Sequence, residues 1–573
     1  MQARARILFL SLIVFISSFL ILWWFSTSAA DFVNMDTMLY GETARNIVRG
    51  VPYSEIRWID RPLDYIQLGG IPKTSTWPVS PFYAFMVASF FSIFGISFTT
   101  MKIVGVVFGS LSVLSTFHLA RILSNEKWGL LAASLLMMHP FFIYNSIIPG
   151  NEVFTAFFST SALLFSFLRN RKGLMFQGLF SALAFMSRYE VGALCLLSII
   201  INHSFHSSQD SDYSIKKDLG KKALLLLSFA STLLPLIYYN SVFYKTFLVL
   251  PSLSTRIFFG DVLATNFYVS PLIFIGTIFL LLVSSLSLSI LLMHLKTPLK
   301  SMKPSLFVVL SVSLVATFLV GSVPYLAELG DYSPIFFVFG LTGLFISLKV
   351  IRKYSVLFLF IFLSILLYYF LAFRLNYDYT QPRYAVTLMP ILAVFGSLAV
   401  SRILCQLRLT SFSLPLRLST ARLVSILLLA TVLTSSFIGY GVLNRSTAIT
   451  KGPFTIKNWD NAKSWISNNT EVNDTIIAMW PVPLFYCDRR TVTLLPENRY
   501  ENSELYSIIN QSRASYLVID YDMRYMVTNS LIASLYDDPK NYEGFKLVYQ
   551  TGSFTWEDPR LVIYELSFDR GST

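Results

Sequence analysis

The chain has 573 residues, of which 54% are hydrophobic and only 13% charged, with a mean hydropathy of +0.60. A soluble protein of this size needs far more polar surface, so the bilayer is its main solvent. The formal charge of +13 does not indicate nucleic-acid binding: from Gly452 onward there are 11 Lys and Arg against 16 Asp and Glu, leaving 34 basic and 16 acidic residues before that point. That basic excess sits in short loops between apolar runs, as a positive-inside topology requires.

Apolar segments fall near 7–29, 101–120, 128–148, 153–168, 174–187, 190–203, 222–242, 270–294, 304–324, 333–348, 354–372, 384–401 and 423–443. Each is long enough to cross or nearly cross the hydrocarbon core, and backbone groups must be satisfied within lipid, so all are read as helices. Arg4 and Arg6, the following apolar run and Ser28-Ala29-Ala30 have the outline of a signal peptide. The stretch from Ile7 to Phe25 is too long for a cleaved apolar region, which makes it an uncleaved anchor.

Residues 82–96 form a further apolar run, and charge decides its place. If it lies at the interface rather than crossing, the loops at Arg121/Lys127, Arg169/Arg171/Lys172, Lys216/Lys217/Lys221/Lys222, Lys296/Lys300/Lys303, Lys349/Arg352/Lys353 and Arg402/Arg408/Arg417/Arg422 share one side with Arg4 and Arg6. Outer loops are then acidic or mixed, as at Glu328 and Asp331. The expectation is about thirteen transmembrane helices, an inner N-terminus, an outer C-terminus and juxtamembrane helices within 30–100.

The domains read as 1–450, embedded in the membrane, and 451–573, a soluble α/β domain outside. Beyond Gly452, β-rich runs (Thr475–Trp480, Ser515–Asp520, Leu561–Tyr564) alternate with helical stretches near 459–468 and 500–512. Sequons at Asn444, Asn468, Asn473 and Asn510 suit an outward location. Cys195, Cys405 and Cys487 supply neither a disulfide framework nor a CxxC metal site.

Chemistry concentrates at the outer face. After the first span, a helix starting near Asp36 puts Asp36 and Tyr40 on one face, with the carboxylate at the helix's positive end. An ordinary capped interfacial helix has the same spacing. Glu152 lies in the turn Pro149-Gly150-Asn151-Glu152; taken alone it reads as a solvated helix cap, and with Asp36 as a general-base or cation-binding pair. Ser187-Arg188-Tyr189-Glu190 separates two short apolar segments, where Arg188 either grips a phosphate or pairs locally with Glu190. Arg383, before Tyr384, is another outward cation, for which snorkelling is the simpler account. All five histidines fall within spans or on the inner side, so an outer metal would take carboxylate or carbonyl ligands. Asp520-Tyr521-Asp522 reads as a strand end.

The Asp-x-x-x-Tyr-x-Glu segment (Asp36, Tyr40, Glu42) resembles the opening of GT-C-type glycosyltransferases that use polyprenyl-phosphate sugars, nearest in pattern to protein O-mannosyltransferases and lipid A aminoarabinose transferases of glycosyltransferase family 39 and its neighbours. Further similarities are the run from Pro81 to Phe94-Gly95, the Pro149–Glu152 turn, Ala184–Glu190, and Arg383-Tyr384 before Met389-Pro390. The resemblance implies a GT-C-like membrane domain and inverting sugar transfer, with a hexose such as mannose moving from a polyprenyl or dolichyl phosphate to a hydroxyl of a protein or lipid acceptor.

It also implies Asp36 as the catalytic base, Glu152 as the second outer-loop acid, and Tyr40, Arg188, Tyr189 and Arg383 near the substrate. A divalent cation (Mg or Mn) would be held by Asp36 and Glu152. The Glu-Lys-Pro motif of some relatives is missing from Thr76–Pro81, which leaves Lys73 or Arg61 as substitutes. The Trp-Trp-Asp motif of oligosaccharyltransferases is absent; Asn458-Trp459-Asp460 does not match it. The plasma membrane of an archaeon or bacterium is favoured over the endoplasmic reticulum. The rival reading is a transporter or flippase of a polar or lipid-linked solute, which predicts duplicated halves and a midplane charged site that the sequence does not display.

Overall fold

The computed structural model describes residues 2–28, 35–50, 58–59, 81–168, 170–207, 215–243, 248–249, 268–269, 351–374, 386–409, 457–479, 482–494, 500–554 and 559–567, with Gly340, Gly343, Leu344 and Ser347. It divides into two compact units. The first comprises Met1–Ser26, Ser80–Tyr83 and Lys102–Asn444; the second comprises Thr27–Val79, Ala84–Met101 and Arg445–Thr573. The expected outer domain at 451–573 is thus one part of the second unit.

The first unit is helical. α1 (Gln2–Ser28) has 27 residues, about 40 Å at 1.5 Å per residue. Leu8, Phe9, Leu12 and Leu20 along it are more than half exposed, a surface that lipid solvates and water does not. α4 (Phe98–Leu123), in this unit from Lys102, follows α3 (Pro81–Phe94), which belongs to the second unit from Ala84 and whose position matches the expected helix at 82–96. The run expected as one span at 128–148 is instead two helices, α5 (Glu126–Met137) and α6 (Pro140–Ile147), bent by 68°. The cause is Pro140: it sits at the start of α6, and its ring forces His139 out of the helical region to φ −76°, ψ 117°.

α7 (Glu152–Phe165), α8 (Arg171–Ser187), α9 (Tyr189–Ser207), α10 (Ile215–Phe243), α11 (Ile351–Arg374) and α12 (Met389–Leu409) complete the described bundle. Its core includes Leu119, Ala162, Ala182, Cys195, Ile199, Leu225, Leu357 and Phe395, all fully buried. Buried hydroxyls return to their own helices, as from Ser110 Oγ to the Val106 carbonyl at 2.8 Å, while Ser115 and Ser161 join α4 to α7 at 3.1 Å. Among the described residues, Arg4–Thr27, Phe98–Leu123 and Asp218–Tyr238 are long and apolar enough to cross a membrane, and the bent α5–α6 pair makes a fourth if it is one broken span. The spans expected at 270–294, 304–324 and 423–443, and nearly all of 333–348, lie outside the described residues. A two-residue ribbon, β2 (Leu248–Val249) with β3 (Tyr268–Val269), belongs to this unit.

The second unit is built on a six-stranded sheet of order β1-β5-β4-β6-β8-β7. Its strands are β1 (Trp58–Ile59), β4 (Thr475–Ala478), β5 (Arg490–Thr493), β6 (Tyr516–Ile519), β7 (Phe545–Phe554) and β8 (Pro559–Leu566). β1, β5, β4 and β6 are parallel, which requires crossovers; β8 and β7 close the other edge antiparallel. The crossovers are α14 (Val482–Cys487) between β4 and β5 and α15 (Asn502–Ser512) between β5 and β6. α13 (Lys457–Asn469), α16 (Tyr521–Met526) and α17 (Ser530–Asp537) complete the layer. Continuous apolar runs such as Ile476-Ile477-Ala478 and Leu517-Val518-Ile519 are fully buried, as central parallel strands covered on both faces should be. The edge strand β1 comes from the segment that follows α1, not from the C-terminal sequence.

Asp520 ends β6 and caps α16, accepting from the Met523 amide at 2.9 Å and from Trp459 Nε1 at 3.2 Å. This agrees with the strand-end reading.

Candidate functional site

Within the first unit, three separate sequence motifs converge. Pro81, Phe82 and Tyr83 open α3, and Phe82 packs on Phe154 and Phe158 with ring centroids 5.2 and 5.5 Å apart. Tyr83 is fully buried and meets Phe154 edge-on at 5.3 Å. Burial first, and the charge of Glu152 second, push its phenol well above the ordinary tyrosine range, so it stays protonated beside that carboxylate.

Glu152 begins α7 and is 6% exposed, so the solvated-cap reading does not describe it. Its carboxylate turns back over Gly150: a Cβ at that position would lie 2.4 Å from Glu152 Oε2, so any larger residue there would have to displace the carboxylate. Asn151 does not cap α7 with its side chain. Instead its Nδ2 donates to the Ser187 carbonyl at 3.1 Å, tying the Pro149–Glu152 turn to the α8–α9 junction.

That junction carries Arg188 in an extended conformation, φ −146°, ψ 112°, between two helices. The Arg188 Nε–Glu190 Oε1 distance is 3.2 Å, so the local pair weighed from sequence is formed, with Arg188's side chain 13% exposed. Tyr189 is buried, its ring edge-on to Phe185 at 4.9 Å. The structure therefore gathers Tyr83, Glu152 and Arg188 around one turn and one helix junction. Tyr83 was missed from sequence because nothing local distinguishes it from the apolar residues of its helix.

Within the second unit, α2 (Met35–Val48) starts at the position expected from sequence and carries Asp36 in its first turn. Asp36 and Tyr40 are one helical turn apart, and Tyr40 is 7% exposed. Further along α2, Arg45 is 4% exposed and pairs with Glu42. Arg45 also donates to the carbonyls of Phe485 at 3.0 Å and Leu484 at 2.9 Å, and lies 3.1 Å from Asp488 Oδ1. Arg49 Nη1 donates to Asp488 Oδ2 at 2.8 Å. No local pattern marks Arg45, Arg49 or Asp488, since the arginines and their carboxylate partner are more than 400 positions apart.

Arg61, Lys73 and Arg383 lie outside the described residues. No group of three His, Cys, Asp or Glu side chains that could hold a metal occurs among the described residues.

Residues 78–239 match the sequence model of the dolichyl-phosphate-mannose-protein mannosyltransferase family, a segment that contains Tyr83, Glu152 and Arg188. No curated protein matches the chain in sequence. Among solved structures, the chain is similar to the oligosaccharyltransferase AglB of Archaeoglobus fulgidus in complex with an inhibitory peptide and a dolichol-phosphate. The TM-score is 0.59 at 17% identity, covering 90% of this chain and 70% of that one. The Archaeoglobus fulgidus oligosaccharyltransferase in complex with Zn and sulfate gives 0.58 at 15% identity, over 94% and 72%. ArnT from Cupriavidus metallidurans bound to undecaprenyl phosphate gives 0.51 at 11% identity, over 98% and 99%. At such identities the likeness is one of fold. The sequence match over 78–239 and the shared fold thus make this chain similar to GT-C glycosyltransferases, the sequence match itself extending over less than a third of the 573 residues.

Proposed function

We propose that the protein transfers a single sugar, a hexose such as mannose, from a polyprenyl or dolichyl phosphate to a hydroxyl of a protein or lipid acceptor outside the membrane. The observation that carries this reading is the convergence of Tyr83, the Glu152 turn and Arg188 inside the family-matched segment. In the proposed step the acceptor oxygen bonds to the anomeric carbon as the bond from that carbon to the phosphate oxygen breaks, with inversion. Asp36 takes the acceptor proton, and the electron pair leaves with the lipid phosphate. Arg188, released from Glu190 or bridging it, and Arg383 stabilise the departing phosphate charge.

Tyr40 and Tyr189 border the substrate, and Lys73 or Arg61 supplies the loop cation. A Mg or Mn ion, if held by Asp36 and Glu152, would neutralise phosphate charge. Thirteen spans, an inner N-terminus, an outer α/β domain and residence in an archaeal or bacterial plasma membrane complete the proposal. Lipid solvation of α1 and the basic inner loops support that topology.

The test is incubation of purified protein with radiolabelled polyprenyl-phosphate sugars and membrane extract, for wild type and Arg188→Gln. Label passing to an acceptor, with kcat lowered about 100-fold or more in the variant, supports the reading. Donor that crosses vesicles without losing its sugar would make the protein a transporter.

A further inference from the structure

We propose that the α/β domain acts as the clamp that positions the Asp36 helix, with Arg45 and Asp488 as the positioning residues. This rests on the reading of Asp36 as the general base.

The clamp is built on the end of a short helix. α14 spans only Val482–Cys487, and the last four carbonyls of any helix lack partners within it. Two arginines fill that need. Arg489 Nη1 donates to the Cys487 carbonyl at 2.6 Å, from within the domain. Arg45, from α2, donates to the Leu484 and Phe485 carbonyls. A guanidinium is well suited to this, since its planar fork serves two acceptors at once and its charge complements the negative helix end.

Asp488 follows α14 with φ +56°, a left-handed conformation that Asp tolerates better than most residues. That conformation turns the chain out of α14 and leaves the carboxylate within reach of both Arg45 and Arg49. With Glu42 also on Arg45, two cations meet two anions and the buried charge is balanced.

Shape enforces the same contact. A Cβ on Gly41 would lie 2.6 Å from Phe485 Cε2, so the absence of a side chain there lets α2 settle on the Phe485 ring. On its other side Phe485 stacks with Phe91 of α3, at 6.5 Å and 24°. Strand β1 adds a second attachment of the same loop, by parallel pairing of Trp58 with Thr491 and Ile59 with Val492. The helix bearing the candidate base is thus held by hydrogen bonds, ion pairs, ring packing and strand pairing, all supplied by the α14–β5 segment.

The experiment uses the full-length protein in nanodiscs and compares wild type, Asp488→Asn, Arg45→Met and Asp36→Asn. Two readouts are taken: amide exchange across 35–48 and across β4–β8, and sugar-transfer kinetics. In Asp488→Asn and Arg45→Met we expect α2 exchange to rise about tenfold or more while the sheet stays protected. We expect kcat to fall about 10- to 100-fold, as small displacements of a catalytic group cause, with the donor KM little changed. Asp488→Asn is isosteric and tests the clamp even if Arg45→Met does not fold. Unchanged α2 exchange in Asp488→Asn would overturn the clamp whatever the activity. Raised exchange with wild-type kcat would overturn positioning. Full activity in Asp36→Asn would sink the base assignment separately, because the exchange result does not depend on it.

Discussion

Substituting Gly41 by alanine gives a sharp test of how tightly α2 sits on the α/β domain, because two opposing terms differ in sign. In a helix interior, Gly→Ala on its own stabilises by about 1 kcal/mol. Here the new methyl would stand 2.6 and 2.8 Å from Phe485 Cε2 and Cδ2 and 3.0 Å from Met101 Sδ. The Phe485 ring cannot simply swing aside, since it is 6% exposed and bounded by Phe91 and the Arg45 guanidinium. Overpacking of this kind costs about 1–3 kcal/mol, so Gly41→Ala should destabilise the docked helix by roughly 0–2 kcal/mol net.

The double-mutant cycle separates the terms. In a Phe485→Leu background the clash is relieved, and Gly41→Ala should recover its stabilising value of about 1 kcal/mol, giving a coupling of roughly 1–3 kcal/mol. Amide exchange over residues 35–48 in all four proteins measures it. Equal stabilisation by Gly41→Ala in both backgrounds would refute the close packing of α2 on Phe485.

Two further outcomes are expected. Replacing Asn151 by Ala, or by Asp, which cannot donate, should leave the Ser187 carbonyl without its 3.1 Å donor, cost about 1–3 kcal/mol at the turn and slow sugar transfer; wild-type rates in Asn151→Asp would show that this tie does not matter. Asp520 should give stability a pH dependence: burial, outweighing its bonds from Met523 and Trp459, holds its carboxyl up at about 6. The native state therefore keeps a proton that the unfolded chain releases near pH 4, so this group's contribution is complete below about pH 4 and is lost as pH rises through 6. Thermal unfolding of the full chain between pH 4 and 7 should show that decline in wild type and a flatter profile in Asp520→Asn; identical profiles would contradict it.

What the sequence reveals follows the range of the forces involved. The long apolar runs of α1, α4 and α10 and the alternation of strand and helix beyond residue 457 are local signals, and the elements lie where those signals put them. The bend at His139-Pro140 was also local, but the length of the apolar run concealed it. β1, two residues long, had no periodicity to detect, and it exists only because β5 offers a parallel edge. The candidate site shows the same division. Glu152 and Arg188 were visible as ionisable residues in short turns between apolar runs. The burial of Glu152, the tie from Asn151 to Ser187 and the placement of Tyr83 depend on segments 36 to 69 positions apart. The Arg45–Asp488 pair spans most of the chain, and pattern reading has no access to a contact of that range.

Sugar transfer by wild type and Asp36→Asn tests the central claim most directly. Purified full-length protein is supplied with the radiolabelled polyprenyl-phosphate sugar that wild type consumes, and label reaching a hydroxyl acceptor is counted. The account predicts transfer by wild type and a loss of about 100-fold or more in Asp36→Asn with the fold and donor binding retained. Transfer at the wild-type rate in Asp36→Asn would contradict the mechanism, and no transfer by folded wild-type protein from any donor would contradict the proposed function itself.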